Sequence, residues 1–265
     1  MNIDKLTQIP VAKVGHLNDV TKPVLPYWNE VKDAMCSEPH SHPRGQLVYS
    51  IKGVTRVITN EGIHLIPSSQ AFWCPPHHQH TLMFPGAVEV ANLFIDEKWA
   101  KELPNTQQVL NVSLLMKGLI GKALEIEHDY QEGTTEHRLM VVIIDQLKEL
   151  SPAPLTLPWS NNKKLETIMK ALIADPANTE SIDHWAEQVH CTPRTLARLF
   201  NKEVNMTFTQ WRMQAKFFHA IEQLNQKHSV TAIALDLGYS SPSAFISAFR
   251  KTLGKTPTEY VEALF

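Results

Sequence analysis

An α+β chain is predicted: a sandwich or small barrel of strands followed by helices in residues 1–150, then a separate all-α part over 161–265. Three observations predict it. Short β-branched runs cut by turn residues fill residues 40–95. From residue 112 onward the apolar positions switch to helical spacing. Between the two parts, Pro152, Pro154 and Pro158 fall within ten positions, 151–160, and predict a semi-extended linker.

The elements follow in order. Gln46–Ile51 and Val54–Thr59 read as strands split by Lys52-Gly53, and Asn60-Glu61-Gly62 reads as the turn into Ile63–Pro67. Ala71–Cys74, Thr81–Phe84 and Ala87–Ile95 are further strands, and several at this spacing make a sandwich or small barrel. Residues 112–131 carry a stripe of Leu114, Leu115, Leu119, Ile120 and Leu124. Residues 135–150 carry Leu139, Val142, Ile143, Leu147 and Leu150, with Gly133 as the turn between. These helices either pack on the barrel or pair between subunits.

The chain has 265 residues, enough for two ordinary domains, and the composition of a soluble globular protein. No run of 18 apolar residues predicts a membrane span, and the first six residues show no secretory signal. Cys36, Cys74 and Cys191 are far apart and odd in number, so they predict neither a disulfide framework nor a zinc spacing. A cytoplasmic location is expected. Net charge is −2 overall, but residues 161–265 hold twelve Lys/Arg against ten Asp/Glu, while the remainder holds thirteen against seventeen. A mildly basic C-terminal part would depend on placed contacts more than on bulk phosphate neutralisation.

One short pattern occurs twice in the last hundred residues. The first copy runs Ile182, Trp185, Ala186, Val189, the turn from His190 to Pro193, then Leu196, Leu199, Phe200. The second runs Val230, Ile233, Ala234, Leu237, the turn from Gly238 to Pro242, then Phe245, Ala248, Phe249. An apolar stripe that stops, turns and resumes is two helices meeting at an angle, a helix-turn-helix. Ala186 and Ala234 are small where paired helices approach closely. At these residues the chain resembles the AraC/XylS-type transcription regulators, over roughly 163–263. Residues 211–224 resemble the family's long central helix, and 245–260 its closing signature.

In a helix-turn-helix the second helix enters the major groove and presents its N-terminal half to base edges. In copy one the core takes Leu196, Leu199 and Phe200, leaving Arg194, Thr195, Arg198 and Asn201 or Lys202 outward. Arg194 and Arg198 are the expected base readers, because a guanidinium pairs bidentately with guanine. Thr192 and Lys202 are expected nearer phosphate. In copy two, Ser241, Ser243, Ser247, Arg250 and Lys251 lie on or near the outward face. Ser247 stands at the position equivalent to Arg198, so copy two is expected to read weakly and to hold phosphate through Ser241, Arg250 and Lys251.

A second cluster lies in the N-terminal part. His40, His42, Gln46 and Gly53 precede and follow a predicted strand, and Pro75 is followed by His77, His78 and His80. This resembles the two motifs of the cupin β-barrel. By that resemblance His40, His42 and His80 fall at metal-ligand positions. Gln46 stands where the motif has Glu, His77 where it has Gly, and Phe84 where it has Asn. Histidines two apart on a strand point to one face, and three neutral imidazoles suit a divalent first-row metal. His77 and His78 are expected at the rim. Arg44 and Arg56 are candidates to meet an anionic effector, and Phe72, Trp73, Phe84 and Phe94 are expected in the core or lining a pocket.

The expected protein is thus a cupin-like β-barrel sensor with following helices and a tandem helix-turn-helix domain. It binds promoter DNA as a homodimer under control of a small-molecule effector, with RNA polymerase a further partner if it activates. The runs from His42 to Leu47 and from Phe72 to Pro76 are similar to a branch containing repressors of efflux transporters. Two other readings are a metal sensor using His40, His42 and His80, and a metal-dependent cupin enzyme fused to a DNA-binding domain. Gln46 in place of a carboxylate weighs against the enzyme.

Overall fold

The computed structural model describes residues 6–68, 70–153 and 156–262. The first five residues, read above for a signal, lie outside these. Two compact units emerge: Leu6–Thr59 with His64–Leu155, and Asn60–Ile63 with Thr156 onward.

The first unit is built of two facing sheets. One has the order β10-β7-β4-β9-β2, with β2 Val24–Val31, β4 Gly45–Lys52, β7 Gln70–Cys74, β9 Val88–Ile95 and β10 Gln108–Asn111. All its pairings are antiparallel. The other runs β1-β3-β8-β5-β6, with β1 Thr7–Ile9, β3 Met35–Ser37, β5 Val54–Ile58, β6 Gly62–Pro67 and β8 Thr81–Phe84. The β4–β5 hairpin turns at Gly53, whose φ of 84° is left-handed, and a Cβ there would meet Ala87 O at 2.6 Å.

Period-two alternation sorts β4 onto two cores. Val48 joins Val57, Ile66, Phe72, Leu82, Phe84 and Val90 between the sheets. Leu47 and Tyr49 point the other way, onto two helices. These are α2 Leu114–Ile126 and α3 Thr135–Lys148; a short α1, Glu97–Ala100, precedes them. Ser113 and Thr134 cap α2 and α3. The helices bury Met116, Ile120 and Ala123, and Met140, Ile143, Ile144 and Leu147. Both faces sit partly off the expected stripes. Leu114 is 88% exposed, Leu115 57% and Val142 43%. The i, i+3, i+4, i+7 set that includes Met140 meets the sheet, and the leftover leucines form an apolar margin.

The expected linker is tied down over much of its length. Asn111 N donates to Ser151 O and Ala153 N to Val109 O, so its start pairs with β10. Thr156–Pro158 forms β11, and Trp159 N donates to Glu61 O within the second unit. Proline lacks a donor but keeps its carbonyl, so it fits such edges: Pro158 O accepts from the Trp211 indole at 2.8 Å.

The second unit is helical: α4 Lys163–Ala174, α5 Ile182–Gln188, α6 Pro193–Val204, α7 Phe208–Asn225, α8 Val230–Asp236, α9 Pro242–Leu253 and α10 Pro257–Glu262. Its core takes Trp211 and Phe217 from α7, Ala186, Leu196 and Phe200 from the first repeat, and Ile233, Ala234, Leu237, Phe245 and Phe249 from the second, each fully buried. Among the described residues no helix is long and apolar enough to cross a membrane.

Candidate functional site: a paired DNA-reading surface and a three-histidine centre

The two repeats share backbone chemistry as well as sequence pattern. At the end of α5, His190 N donates to Glu187 O and Cys191 N to Ala186 O. At the end of α8, Gly238 N donates to Leu235 O and Tyr239 N to Ala234 O, with the same separations of three and five. His190 and Gly238 both take positive φ, 50° and 74°, closing the first helix of each pair. The second helix of each pair then starts on a hydroxyl cap followed by proline. Thr192 Oγ1 accepts from Thr195 N, and Ser241 Oγ from Ala244 N, both at 3.2 Å. Proline at the first helical position loses no bond there.

These caps set which side chains face out. Arg194, Arg198 and Lys202 are exposed on α6 and Thr195 is half-buried. Among the described residues, Arg194 and Arg198 have no hydrogen bond or ion pair, so both guanidinium forks are free. Lys202 has a 3.7 Å ion pair with Glu203. On α9, Ser243, Ser247, Arg250 and Lys251 are exposed. Thr192 and Ser241 turn out to be helix caps, a role sequence reading did not assign.

The histidine centre is built by two loops pinned together. His40 N donates to His80 O at 3.0 Å and His80 N to His40 O at 2.9 Å, a reciprocal bridge. His77 N donates to His42 O at 2.9 Å. His77 stands where the barrel motif has glycine and has a φ of 64°. His40, His42 and His80 each offer a ring nitrogen, all within 4.8 Å of one another. His77 is exposed and His78 half-buried, outside this group. Gly15 lies on His42, where a Cβ would come within 2.8 Å of the ring.

Each ring has one nitrogen committed. Nδ1 donates to a backbone carbonyl: His40 to Glu38 O at 2.8 Å, His42 to Arg44 O at 2.5 Å and His80 to His78 O at 3.0 Å. Such outer bonds fix the tautomer of metal-binding histidines. Burial lowers the pKa of all three, that of His80 to about 3, so the rings stay neutral. Gln46 Oε1 lies 3.0 Å from His42 Nε2 and 2.9 Å from His80 Nε2. Three neutral imidazoles and an amide oxygen fit a divalent first-row ion and supply no charge to it. Cys74 Sγ is 3.3 Å from His80 Nδ1, but burial raises its pKa to about 11, so it stays a thiol.

The space beside this centre is small. A cavity of about 30 Å³ is lined by Ile9–Ala12, Tyr27, Asn29, His40, His42, Gln46, Phe84, Asn92 and Phe94, among others. It has room for an ion or a water or two. Phe84 and Phe94 therefore line it, whereas Trp73 belongs to the helix-facing core. A larger groove, about 510 Å³, opens beside Trp28, Leu124, Glu127 and Asp129. Sequence reading missed that groove, because β2 and the end of α2 are a hundred residues apart. Arg44 does not await an anion. It is 2% exposed, donates to the carbonyls of Leu17, Asp19, Lys22 and Phe94, and lies 3.6 Å from Asp96.

Comparisons with known proteins agree with this geometry. The family described as AraC-like ligand binding domain matches residues 30–137, and that described as Helix-turn-helix domain matches residues 185–263. The HTH-type transcriptional regulator NimR of Escherichia coli (strain K12) is 30% identical over 232 residues, 88% of this chain and 85% of that one. The HTH-type transcriptional activator RhaR of Mannheimia succiniciproducens is 32% identical over 103 residues, 38% of this chain and 37% of its own. ToxT from Vibrio cholerae covers 91% of this chain and 99% of its own at 12% identity with a TM-score of 0.39, too loose a likeness to argue from. With a ligand-binding part and a tandem DNA-reading part both matched, and a relative aligned over most of both lengths, the chain belongs to the AraC family of HTH-type transcription regulators.

Proposed function

We propose that this regulator reads its promoter chiefly through Arg194 and Arg198, with Thr195 beside them and Lys202 and Thr192 toward phosphate. The carrying observation is that both guanidinium groups are exposed on one recognition helix and have no partner among the described residues. Ser241, Ser243, Ser247, Arg250 and Lys251 form the second, weaker contact about one helical turn of DNA away. The division at residues 151–160 separates this reader from the sensor. The apolar margin of Leu114, Leu115 and Val142 supports a homodimer through α2 and α3. We assign no catalytic role and place the protein in the cytoplasm. Selecting genomic fragments on the purified protein and footprinting the winners tests the reading. Protection of two major-groove segments spaced about 10–10.5 bp apart supports it, and binding without sequence preference overturns it.

A second reading concerns the signal. The three converging imidazoles favour a sensor whose regulatory ligand is a divalent first-row ion held by His40, His42, His80 and Gln46. The bound ion would supply positive charge between the sheets, while the three carbonyl-bonded rings hold its position. Operator affinity measured with and without a chelator, for the native chain and the His40→Ala/His80→Ala double variant, tests it. A chelator effect on the native chain that disappears in the variant supports the reading. No chelator effect on the native chain sinks it and moves attention to the groove at Trp28.

A further inference from the structure

Gln46 is the one member of the centre whose orientation is not fixed by a nearby backbone carbonyl, and Asn92 is the residue that decides it. Each ring nitrogen Nδ1 of His40, His42 and His80 faces a carbonyl oxygen, which only accepts. Each Nδ1 therefore carries its proton, and in a neutral ring Nε2 is a bare lone pair. Gln46 Oε1, also a lone-pair atom, lies 3.0 and 2.9 Å from two of these Nε2 atoms. Facing lone pairs at this distance repel unless a cation lies among them. The spacing is that of neighbouring ligands around one ion. With ligands at about 2.1 Å, adjacent octahedral donors are about 3.0 Å apart and tetrahedral donors about 3.4 Å. On the other side, Gln46 Nε2 donates to Asn92 Oδ1 at 2.7 Å.

With no ion, a half-turn of the amide satisfies the same positions from within the protein. The two N–H bonds of Gln46 then donate to the bare Nε2 atoms of His42 and His80, which match them in number. That turn brings Gln46 Oε1 against Asn92 Oδ1, so Asn92 must turn as well and donate from Nδ2. The two amides reverse together or not at all. Asn92 is buried on β9, opposite Val48 of β4 and Tyr27 of β2, and lines the small cavity together with Gln46. We propose that Asn92 is a positioning residue of the metal centre: it accepts from Gln46 when an ion is bound, aims the Gln46 carbonyl at it, and reverses with Gln46 when the ion departs. This rests on the metal-sensing reading.

The test uses the full chain with Co(II) and Zn(II) as probes, Zn(II) affinity read by competition with a chelator. Asn92→Leu removes the acceptor and should weaken binding by about 10–100-fold, and should alter the visible spectrum of bound Co(II). Asn92→Asp only accepts when ionised, so it holds Gln46 in the ion-facing orientation and should bind at least as tightly as the native chain. In protein labelled with ¹⁵N-glutamine, the Gln46 side-chain amide signals should shift on adding Zn(II) to the native chain. A native chain that binds neither probe removes the metal-sensing reading and this inference with it. A native chain that binds, with Asn92→Leu within twofold of it, removes this inference alone. If Asn92→Leu fails to fold, an Asn92→Asp chain that binds tenfold more weakly than native overturns it equally.

Discussion

Replacing Arg44 by methionine should destabilise the sensor unit by about 3–5 kcal/mol. The substitution keeps an unbranched apolar stem and deletes the guanidinium. Three short bonds go with it, to Leu17 O at 2.9 Å, Lys22 O at 2.9 Å and Asp19 O at 2.6 Å. A weaker contact to Phe94 O at 3.5 Å and the ion pair with Asp96 at 3.6 Å are also lost. A hydrogen bond from a charged group contributes about 1.5–3 kcal/mol, so the upper end for the three alone is well above the expected loss. Two effects offset part of it. The protein no longer has to desolvate a cation, and the carbonyls of the 17–22 loop can reach water, since Leu17 is 47% and Val20 65% exposed. Breaking one side of a buried charge pair costs about 3–5 kcal/mol, which sets the range. Urea denaturation gives the free energy, and hydrogen exchange over residues 17–22 reports the loop. A loss under about 1 kcal/mol with the loop still protected would show that Arg44 is not the clamp.

Three further outcomes are expected. Arg198→Ala should cost about 1–3 kcal/mol on the selected site and relax preference at one base pair; equal weakening on selected and random DNA means that it holds only phosphate. A reader fragment beginning at Thr156 should be more stable than one beginning at Asn161 by about 1 kcal/mol, because the shorter one lacks the Pro158 carbonyl that accepts from Trp211; equal melting curves would discount that bond. Burial holds His80 down to about 3 and His64 to about 4 in the folded chain, against about 6.5 unfolded. Their contribution is complete above about pH 6.5 and is lost as pH falls toward 4, because the unfolded chain takes up protons first, at up to about 1.4 kcal/mol per pH unit for each ring. A urea midpoint that does not move between pH 7.5 and 5 contradicts this.

Much of the fold was legible because its signals are local. Short β-branched runs between turn residues marked six strands of the sensor nearly residue for residue, and Lys52-Gly53 marked a turn that requires a left-handed residue. The repeated helix pairs were legible because turn chemistry and apolar spacing coincide twice. The helix faces of α2 and α3 were not, since leucine-rich helices offer two overlapping stripes and only the sheet decides between them. Arg44 resembled a ligand-meeting cation because its acceptors, carbonyls 22 to 50 residues away, leave no mark in composition. Asn92 did leave one: an amide standing among Val90, Ala91, Leu93 and Phe94 in a largely apolar stretch of β9. Buried amides of that kind need a partner, and Gln46, 46 residues earlier on the neighbouring strand β4, is that partner.

The smallness of the cavity beside the histidines bears on how fast the sensor can answer. Organic ligands usually occupy pockets of about 300–1,000 Å³, ten times or more the space enclosed here. Ile9–Ala12 contributes to the lining of that space, so an occupant larger than a water or two would require lining such as this segment to move. Apparent affinity is then the intrinsic affinity scaled by the fraction of molecules already open. Arrival rates would level off at high ligand concentration, limited by the opening step rather than by encounter. Shortening or loosening the segment would speed the response and raise apparent affinity together, without a single new contact to the ligand.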